Sequence, residues 1–395
     1  MYEKDREFMS QALALAVKGK GMTSPNPMVG AVIVKGGKVV GEGYHRKAGS
    51  DHAEIAALRI AGKRAKGATL YVTLEPCCHQ GLTGPCTTAL IEAGIRRVVY
   101  AVADPDKRIA GRGARLLAKA GVAVTGNVLR DAARRINEPH FHFNTTGRPF
   151  VTLKLAQSID GCIATKSGDS KWISGIESRK FVHQLRSEVD AVMVGGETAR
   201  IDNPQLTVRH IKGRCPFRIV ASASGMLPSG LNLFRNNKDM RTIVATSTAG
   251  MKKLGKRLRN KHLIFWEVQS KSGTLDLNDL LEKAGQFGFR HVLVEGGSRM
   301  ATALVKQGLV DRYIAVISPR IIGDGRHAFG DLNVARVSKA IGAKMESVVR
   351  IGEDIIAEIR LDSRLRGNDR KRDGNEERKA FGRRGRLPLT FRGNK

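Results

Sequence analysis

The 395-residue sequence lacks several features, and each absence excludes a class of protein. No apolar run approaches the roughly 18 residues that a membrane-spanning helix needs, and no apolar signal-peptide core is present near the first residue. Cysteines number five and two of them are adjacent, so a disulfide framework is not expected. Hydrophobic residues make up 41% of the chain, which argues against a wholly disordered polymer. We therefore expect a soluble protein of two or three domains in a reducing cytoplasm, with no membrane partner.

Acidic residues are also few, with 37 Asp and Glu against 68 Lys and Arg, and the formal net charge is +31. A charge of this sign could attract nucleic acid. Residues 361–395 hold 12 of the basic residues, and the rest of the excess is spread along the chain. Aromatic residues are only 5% of the sequence, and no basic helix, zinc-finger spacing or aromatic stacking platform accompanies the charge. We expect a solvated basic surface and no nucleic-acid partner.

Apolar periodicity predicts an α/β domain over residues 1–147. Helical spacing is found at 6–17, 53–61 and 87–93, and strand patterns are found at 29–34, 38–44, 68–74 and 98–102. Gly36 and Gly37, between the first two strands, predict a hairpin. The polar, turn-forming segment 144–149 ends this region, and we place a domain boundary at residue 147.

A second α/β domain is predicted over residues 148–360. Strand patterns at 150–155, 191–194, 218–220, 242–245, 291–294 and 313–317 alternate with helical patterns such as 178–187 and 277–285. The strand segments are apolar runs, which are typical of strands buried on both faces of a sheet. Residues 361–395 have few apolar residues and dense charge, so we expect a disordered basic tail there.

His52 and Glu54 stand two residues apart, and a cysteine-containing segment, 75–86, follows them. A hydrolytic zinc ion needs three protein ligands and one open position for water. His52, Cys77 and Cys86 can supply these ligands for one zinc ion. Glu54 is placed to take a proton from the water and to pass it to a leaving amine. This arrangement predicts a zinc-dependent deaminase in which Glu54 is the catalytic residue.

Two other interpretations of these residues remain open. In the first, Cys78 or His79 is a fourth ligand, and the closed zinc site only stabilises the loop. In the second, the cysteines are buried and bind no metal. Both leave the carboxylate of Glu54 without a use, so we favour the catalytic site and interpret Cys78 as a neighbour that binds no metal.

Several motifs together resemble the deaminase domain of the bifunctional riboflavin-biosynthesis deaminase/reductases. They are Pro25–Gly30, Gly43–His45, Ala48–Gly49, His52–Glu54 and Glu75–Cys86. The zinc motif alone indicates only the cytidine-deaminase superfamily, whereas the order and spacing of the whole set indicate this branch. The resemblance implies a cytidine-deaminase-like three-layer fold for the first domain. It also implies that Asn26, His45 and Asp104 contact the pyrimidine or the ribose phosphate of the substrate.

The sequence departs from this family's pattern in two places. The family usually has a basic residue where Leu82 stands and a proline at Gly84, and it often has Asn where Asp106 stands. We therefore expect the phosphate contacts of this loop to differ from those of the family. The residues of the metal chemistry are intact.

Glycine-rich turns follow two of the predicted strands in the second domain. Strand 292–294 leads into Gly296 and Gly297 and then into a helix, so backbone N–H groups at the helix N-terminus can face a phosphate. Strand 191–194 leads into a second such turn. The strand that begins near Phe150 becomes polar at its end, as ligand-contacting strands of open α/β sheets do. Each feature alone also fits a packed strand with an ordinary turn.

In their order and spacing, these segments resemble the reductase half of the same enzymes, which is related to the dihydrofolate-reductase fold. The resemblance covers about residues 1–360 and implies NADPH as cofactor. The residues implied to line the NADPH site are Ala156, Trp172, Thr198, Asp202, Ser222, Gly297 and Ser298. Those implied to hold the ribose-phosphate substrate are Ser170, Arg186, Leu206, Arg209 and Glu295. Arg186 and Arg209 are suited to bidentate phosphate contacts, although either could equally form a surface salt bridge. The stretch 197–201 departs from the more apolar loop of the family on the nicotinamide side.

The resemblance implies a bifunctional enzyme of riboflavin biosynthesis. Its first reaction would remove the 2-amino group of 2,5-diamino-6-ribosylamino-4(3H)-pyrimidinone 5′-phosphate by hydrolysis. Its second would use NADPH to reduce the ribosyl group of 5-amino-6-(5-phosphoribosylamino)uracil, with Asp202 nearest the hydride transfer. The expected partner is this small phosphorylated pyrimidine, and a homo-oligomer is common for such enzymes. The alternatives are a zinc deaminase acting on nucleic-acid bases and a zinc-stabilised binding protein without activity.

Overall fold

The computed structural model describes residues 2–78, 84–106, 110–235, 237, 239, 241–258 and 262–361. His79, Leu82 and the predicted tail beyond residue 361 lie outside this set. Within the described part of the chain, no helix is both long enough and apolar enough to cross a membrane.

A five-stranded sheet organises the first half of the chain. Its strands are β1 (Gly30–Lys35), β2 (Lys38–Tyr44), β3 (Thr69–Val72), β4 (Arg97–Tyr100) and β5 (Ala123–Thr125). They lie in the order β2-β1-β3-β4-β5, with β1 antiparallel to both of its neighbours and β3, β4 and β5 parallel. The predicted hairpin is confirmed, because Gly36 and Gly37 join β1 to β2 with the positive φ angles that glycine adopts easily.

Helices cover both faces of this sheet. They are α1 (Tyr2–Val17), α2 (Ala53–Ala61), α3 (Cys86–Glu92), α4 (Arg112–Lys119), α5 (Arg130–Ile136) and α6 (Glu138–Thr146). On one face, α1, α5 and α6 pack around core residues such as Met9 and Val99. On the other face, α2, α3 and α4 pack around residues such as Ile33 and Leu90. The predicted three-layer α/β fold is confirmed.

A nine-stranded sheet organises the second half. The strands of this half are β6 (Phe150–Ser158), β7 (Cys162–Thr165), β8 (Ala191–Gly195), β9 (Phe217–Ala221), β10 (Thr242–Thr246), β11 (Leu263–Glu267), β12 (Ser270–Lys271), β13 (Thr274–Leu275), β14 (His291–Glu295), β15 (Arg312–Ser318), β16 (Gly325–His327), β17 (Ala343–Ile351) and β18 (Asp354–Leu361). The main sheet has the order β11-β10-β9-β8-β14-β6-β15-β18-β17, and it is parallel from β11 to β15. Strands β18 and β17 continue it antiparallel, while β12 with β13 and β7 with β16 form two small sheets.

The helices of the second half cover both faces of its main sheet. They are α7 (Ile176–Glu188), α8 (Gly196–Asp202), α9 (Asn232–Arg235), α10 (Thr248–Arg257), α11 (Leu277–Gln286) and α12 (Ser298–Lys306). Apolar cores lie on the two sides, one around Met193 and Leu280 and the other around Val192 and Leu254. All six predicted strands are confirmed, and α7 and α11 confirm the two predicted helices. The antiparallel strands β17 and β18 were not predicted.

Helix α6 is shared between the two halves. Its Phe141 packs in the core of the first sheet. Its Glu138 accepts a hydrogen bond at 2.5 Å from Arg312 of β15 and another from Arg360 of β18. These contacts hold the second sheet to the last helix before it. The domain boundary at residue 147 stays a prediction.

Helix α2 lies directly against strand β2. A Cβ atom at Gly43 would lie 2.4 Å from the carbonyl oxygen of Ala53, and one at Gly41 would lie 2.4 Å from that of Ala57. A side chain at either position would therefore collide with the backbone of α2. Because His52 directly precedes α2, these two glycines set the position of His52 relative to the sheet.

Gly43→Ala is expected to lower the free energy of unfolding by about 1–3 kcal/mol, because the added methyl group must push α2 away from β2. Urea denaturation of the purified variant measures this loss. Gly84→Ala is the matched control, since a Cβ atom there would meet no atom of the described residues within 4 Å. A Gly43→Ala protein as stable as the wild type would contradict the close contact of α2 with β2.

Candidate active sites

Three side chains with metal-ligand chemistry converge in the first half. His52 immediately precedes α2, Cys77 lies in the loop after β3, and Cys86 is the first residue of α3. The Nδ1 atom of His52 lies 3.2 Å from the Sγ atom of Cys86 and 3.5 Å from that of Cys77. All three ligand atoms lie within 4.8 Å of one another. The structure thus brings together the three ligands that the sequence predicts.

Taken over the described residues, the donor set fits a zinc ion with one open position. Zinc binds imidazole and thiolate at about 2.0–2.3 Å, so nitrogen and sulfur ligands in a tetrahedral site lie about 3.6 Å apart. The distances from His52 are close to that value. Hydrogen bonds from Cys86 and His52 outweigh burial and lower the pKa of Cys77, so this thiol ionises more readily than a free cysteine. Cys78 is not part of the cluster, and His79 lies outside the described residues.

Glu54 is buried beside this cluster. It lies in the first turn of α2, only 4% of its surface is exposed, and it is hydrogen-bonded to the side chain of Cys86. Burial, and then the negative charge of Cys77, raises the pKa of Glu54. A buried carboxyl group with a raised pKa beside a metal-ligand cluster is suited to moving protons.

Glu75 orients the loop that carries Cys77. Its carboxylate accepts hydrogen bonds from the backbone N–H groups of Gly111 at 2.9 Å and Ala114 at 3.1 Å, at the start of α4. Sequence reasoning misses this role because the partners lie 36 and 39 residues further along the chain. The only local signal is the position of Glu75 two residues before a predicted zinc ligand.

His45 and Asn26 form a polar pair beside His52. The ring centres of His45 and His52 are 5.6 Å apart. The Nδ1 atom of His45 donates to the carbonyl oxygen of Asp51 at 3.0 Å, so in the neutral ring its Nε2 atom accepts from the Asn26 amide at 3.2 Å. Burial lowers the pKa of His45, which favours this neutral form.

Asp104 lies in the loop after β4, next to the loop after β3 that carries Cys77. The Asp104 carboxylate is buried and accepts a hydrogen bond from the backbone N–H group of Asp106 at 2.8 Å. The His140 ring lies 3.9 Å from it. The contact of Asp104 with substrate stays a prediction.

A second site is a cavity of about 910 Å³ at the carboxyl ends of the parallel strands β6, β8 and β14. Its volume is in the usual range of ligand-binding cavities. The predicted cofactor and substrate residues that line it are Ala156, Ser170, Trp172, Arg186, Thr198, Asp202, Leu206, Arg209, Glu295, Gly297 and Ser298. Ser222 lies behind α8 instead, where a Cβ atom at Gly196 would be 2.8 Å from the Cβ atom of Ser222. Its contact with NADPH stays a prediction.

Two glycine turns meet in this cavity. Helix α8 begins directly after β8, and α12 begins three residues after the end of β14. The N–H group of Gly297 donates to the Oγ1 atom of Thr198 at 3.0 Å, which ties the two turns together. Gly296 has a φ of 149°, and a Cβ atom there would lie 3.2 Å from the same oxygen. The N-terminus of α12 opens into the cavity, and its free N–H groups suit the phosphates of a dinucleotide.

Arg186 and Glu295 form a buried ion pair in the cavity wall. The Nε and Nη2 atoms of Arg186 donate to the two carboxylate oxygens of Glu295 at 2.5 and 3.0 Å. Burial opposes the charged form of Glu295, but Arg186 outweighs it and the pKa of Glu295 is lowered. The Nζ atom of Lys154 lies 3.9 Å from the same carboxylate, and burial lowers the pKa of Lys154. One whole edge of the Arg186 guanidinium is therefore used by a protein carboxylate.

Arg209 has different surroundings. Its Nη1 atom donates to the side-chain oxygens of Gln205 at 2.9 Å and Thr207 at 2.8 Å. The side chain is exposed to the cavity, and no salt bridge joins it to an acidic residue of the described chain. Of the two arginines predicted to bind phosphate, Arg209 is the one whose charge is available to a ligand.

Trp172 and Asp202 lie on another wall of the cavity. The guanidinium of Arg179 lies 4.3 Å from the centre of the Trp172 ring, which remains largely exposed. Burial raises the pKa of Asp202, and Lys171 opposes the shift. An aromatic face and a carboxyl group that holds a proton readily are thus available to a ligand.

Glu295→Leu is expected to lower the free energy of unfolding by about 3–5 kcal/mol, because Arg186 keeps a buried charge without its partner. The double variant Arg186→Met/Glu295→Leu is expected to regain part of this loss, since it removes the Arg186 charge and leaves only Lys154, whose pKa burial already lowers. Urea denaturation of the two variants makes the comparison. A double variant no more stable than Glu295→Leu would contradict the pairing.

Models of known protein families match both halves of the chain. Residues 2–102 match the cytidine and deoxycytidylate deaminase zinc-binding region, and residues 149–357 match the RibD C-terminal domain. The chain is 43% identical over 355 residues to the riboflavin biosynthesis protein RibD of Aquifex aeolicus, covering 90% of this chain and 98% of that protein. It is 36% identical over 366 residues to RibD of Escherichia coli, covering 89% of this chain and 98% of that protein.

Solved structures are similar over almost the whole chain. Acinetobacter baumannii RibD matches with a TM-score of 0.84 at 35% identity, covering 92% of this chain and 100% of that one. A Thermotoga maritima protein described as a diaminohydroxyphosphoribosylaminopyrimidine deaminase/5-amino-6-(5-phosphoribosylamino)uracil reductase matches with a TM-score of 0.82 at 35% identity, covering 91% and 99%. These matches confirm the resemblance found in the motifs and do not favour a deaminase of nucleic acid. The chain belongs to the RibD family of bifunctional riboflavin-biosynthesis enzymes, with a cytidine-deaminase-like first half and a dihydrofolate-reductase-like second half.

Proposed function

We propose that each of the two sites catalyses one of two consecutive reactions. In the first site, 2,5-diamino-6-ribosylamino-4(3H)-pyrimidinone 5′-phosphate loses its 2-amino group as ammonia by hydrolysis. In the second site, NADPH reduces the ribosyl group of 5-amino-6-(5-phosphoribosylamino)uracil to ribityl. The observation that carries the proposal is the convergence of His52, Cys77 and Cys86 beside the buried Glu54, which among the described residues leaves one metal position open.

His52, Cys77 and Cys86 would hold one zinc ion, which when bound supplies the Lewis acidity that makes water a stronger nucleophile. Glu54 accepts a proton and delivers it to the amino group as that group leaves. The burial of Glu54 supports this role, because a raised pKa makes a carboxyl group a better proton donor near neutral pH. Cys78 has no part in the reaction.

Asn26, His45 and Asp104 would bind the pyrimidine or the ribose phosphate. The hydrogen bonds from His45 to Asp51 and from Asn26 to His45 support this, because they fix the ring orientation before substrate enters. Because Asp51 and Asn26 use both ring nitrogens of His45, the neutral ring would act by orienting the Asn26 amide, and it adds no positive charge beside the metal ligand.

In the second site, NADPH when bound supplies the hydride. The backbone N–H groups at the start of α12, near Gly297 and Ser298, would hold its pyrophosphate, and Trp172 and Thr198 would contact it nearby. Arg209 would hold the ribose phosphate of the substrate, and the ion pair of Arg186 with Glu295 would shape the adjacent wall. Asp202 would lie nearest the hydride transfer, where its raised pKa favours holding a proton.

The charge of the chain suits these ligands. Substrate and cofactor are anions, and a net charge of +31 raises their local concentration near the protein. We place the enzyme in the cytoplasm, where a reducing environment suits five cysteines that are all unpaired.

We also propose that the enzyme is a homo-oligomer that associates through β17 and β18. Strand β17 is almost entirely exposed, and the face it forms with β18 leaves Met345 and Val348 more than half exposed. An edge strand with exposed apolar side chains is a common site of self-association.

Val348→Glu is expected to shift the enzyme from a dimer or larger assembly to a monomer, because the introduced charges would face each other in the interface. Size-exclusion chromatography with light scattering measures the mass. Ile60→Glu, at a similarly exposed apolar residue of α2, is the control that keeps the wild-type mass. A wild-type monomer, or an assembly unchanged by Val348→Glu, would refute this surface.

The two reactions are tested by measuring ammonia and NADPH in one assay with the diaminopyrimidinone ribose phosphate. We expect ammonia to appear and NADPH to disappear in equal amounts. Glu54→Gln is expected to slow ammonia release by about 10²–10⁴-fold and to slow NADPH consumption by the same factor, because the first reaction limits the supply of substrate to the reductase. Adding 5-amino-6-(5-phosphoribosylamino)uracil should then restore NADPH consumption in that variant.

The adjacent cysteines provide a matched pair for the zinc site. Cys77→Ser should lose bound zinc and ammonia release, whereas Cys78→Ser should keep both. Zinc content is measured by atomic absorption. Retention of zinc by Cys77→Ser would overturn the ligand assignment. A zinc-loaded wild type that releases no ammonia from this substrate would overturn the deaminase proposal.

A further inference from the structure

The segment 203–210, which we call the arginine loop, carries Arg209 into the second cavity. It connects α8 to the stretch before β9 and has no helix or strand. Leu206 anchors its middle in the core with a positive φ of 54°. A loop that lacks the backbone hydrogen bonds of a helix or a sheet is held in one conformation by side chains of other elements.

Two side chains of α7 supply that support. The Nη1 atom of Arg186 donates to the carbonyl oxygen of Thr207 at 3.2 Å. The Nδ1 atom of His183 accepts a hydrogen bond from the backbone N–H group of Arg209 at 3.2 Å. His183 therefore contacts the very residue whose guanidinium faces the cavity.

His183 is itself held in place. Only 4% of its surface is exposed, where it reaches the cavity wall, and its ring packs edge to face against His210 with centres 4.6 Å apart. Burial, and then the charges of Arg186 and Arg209, lowers the pKa of His183 to about 4, with His210 adding to the shift and Glu295 opposing it. A neutral ring is required because only an unprotonated Nδ1 atom can accept the hydrogen bond.

We propose that His183 is a positioning residue for the reductase: by accepting from the backbone of Arg209 it fixes the arginine loop so that the Arg209 guanidinium meets the phosphate of the substrate. This inference rests on the proposed binding of a ribose phosphate at Arg209. It gives His183 a role in substrate affinity and none in the binding of NADPH or in the hydride transfer itself.

His183→Leu removes the acceptor and tests the proposal in the full-length enzyme with 5-amino-6-(5-phosphoribosylamino)uracil and NADPH. We expect the KM for the uracil substrate to rise about five- to tenfold, with kcat and the KM for NADPH nearly unchanged. The inhibition constant of ribose 5-phosphate, which carries the same phosphate, should rise by the same factor. Melting temperatures of all variants show whether each has folded.

His183→Asn is the rescue variant. Its Oδ1 atom is separated from the backbone by the same number of bonds as Nδ1 of histidine, so it can accept from the Arg209 N–H group. We expect its KM for the uracil substrate to stay within about twofold of the wild type. His183→Phe, which keeps a ring against His210 but has no acceptor, should behave like His183→Leu and replaces it if that variant does not fold.

A double variant distinguishes positioning from direct contact. Arg209→Leu should raise the KM for the uracil substrate by about 10–100-fold, and adding His183→Leu should raise it no further, because His183 acts through Arg209. Independent effects that multiply would mean that His183 binds substrate itself and would overturn the proposal. An unchanged KM in folded His183→Leu would overturn it as well. The wild-type reaction and Arg209→Leu decide the proposed reductase function separately.

Discussion

The carboxyl ends of parallel strands determine where both candidate sites lie. In the first sheet, the loops after β3 and β4 carry Cys77 and Asp104. In the second sheet, β8 and β14 end at the two glycine turns that form the second cavity. Polar groups at such an edge can meet a ligand without interrupting the apolar interior of the sheet. Burial in these surroundings raises the pKa values of Glu54 and Asp202.

The parts of the fold and the sites that could be predicted from sequence are those with local signals. His52 and Glu54 are two residues apart, and the buried parallel strands are continuous apolar runs. The sequence of strand β17 shows no continuous apolar run, because polar and apolar residues are interspersed along it and almost all of them are exposed. Lys154 lies within an apolar strand, and its charge is explained by the carboxylate of Glu295 beside it. Glu295 is distant in sequence and comes near Lys154 only when β6 and β14 pair. Long-range pairing of this kind leaves no pattern in a single sequence.

Arg186 and Arg209 show why residue type alone does not assign a role. Both have the charge and geometry for a phosphate, and both line the same cavity. Arg186 uses one edge of its guanidinium to neutralise Glu295, whereas Arg209 has only uncharged acceptors among the described residues. The difference arises from which side chains the fold places beside each arginine. Because Arg186 neutralises the carboxylate of Glu295, that carboxylate does not repel an anion that binds in the cavity.

Helix α6 has a consequence for how the two activities can be inherited. Its Phe141 belongs to the core of the first half, while its Glu138 is bound by Arg312 and Arg360 of the second. Cutting the chain before or after α6 would separate this helix from one of the two halves, and that half would lose its contacts with α6. Recombination between relatives would preserve these contacts only if α6, β15 and β18 came from the same parent or from parents with matching residues at the contact positions. Helix α6 is thus one structural link between the two halves, beside the ion pair of Lys20 with Glu188.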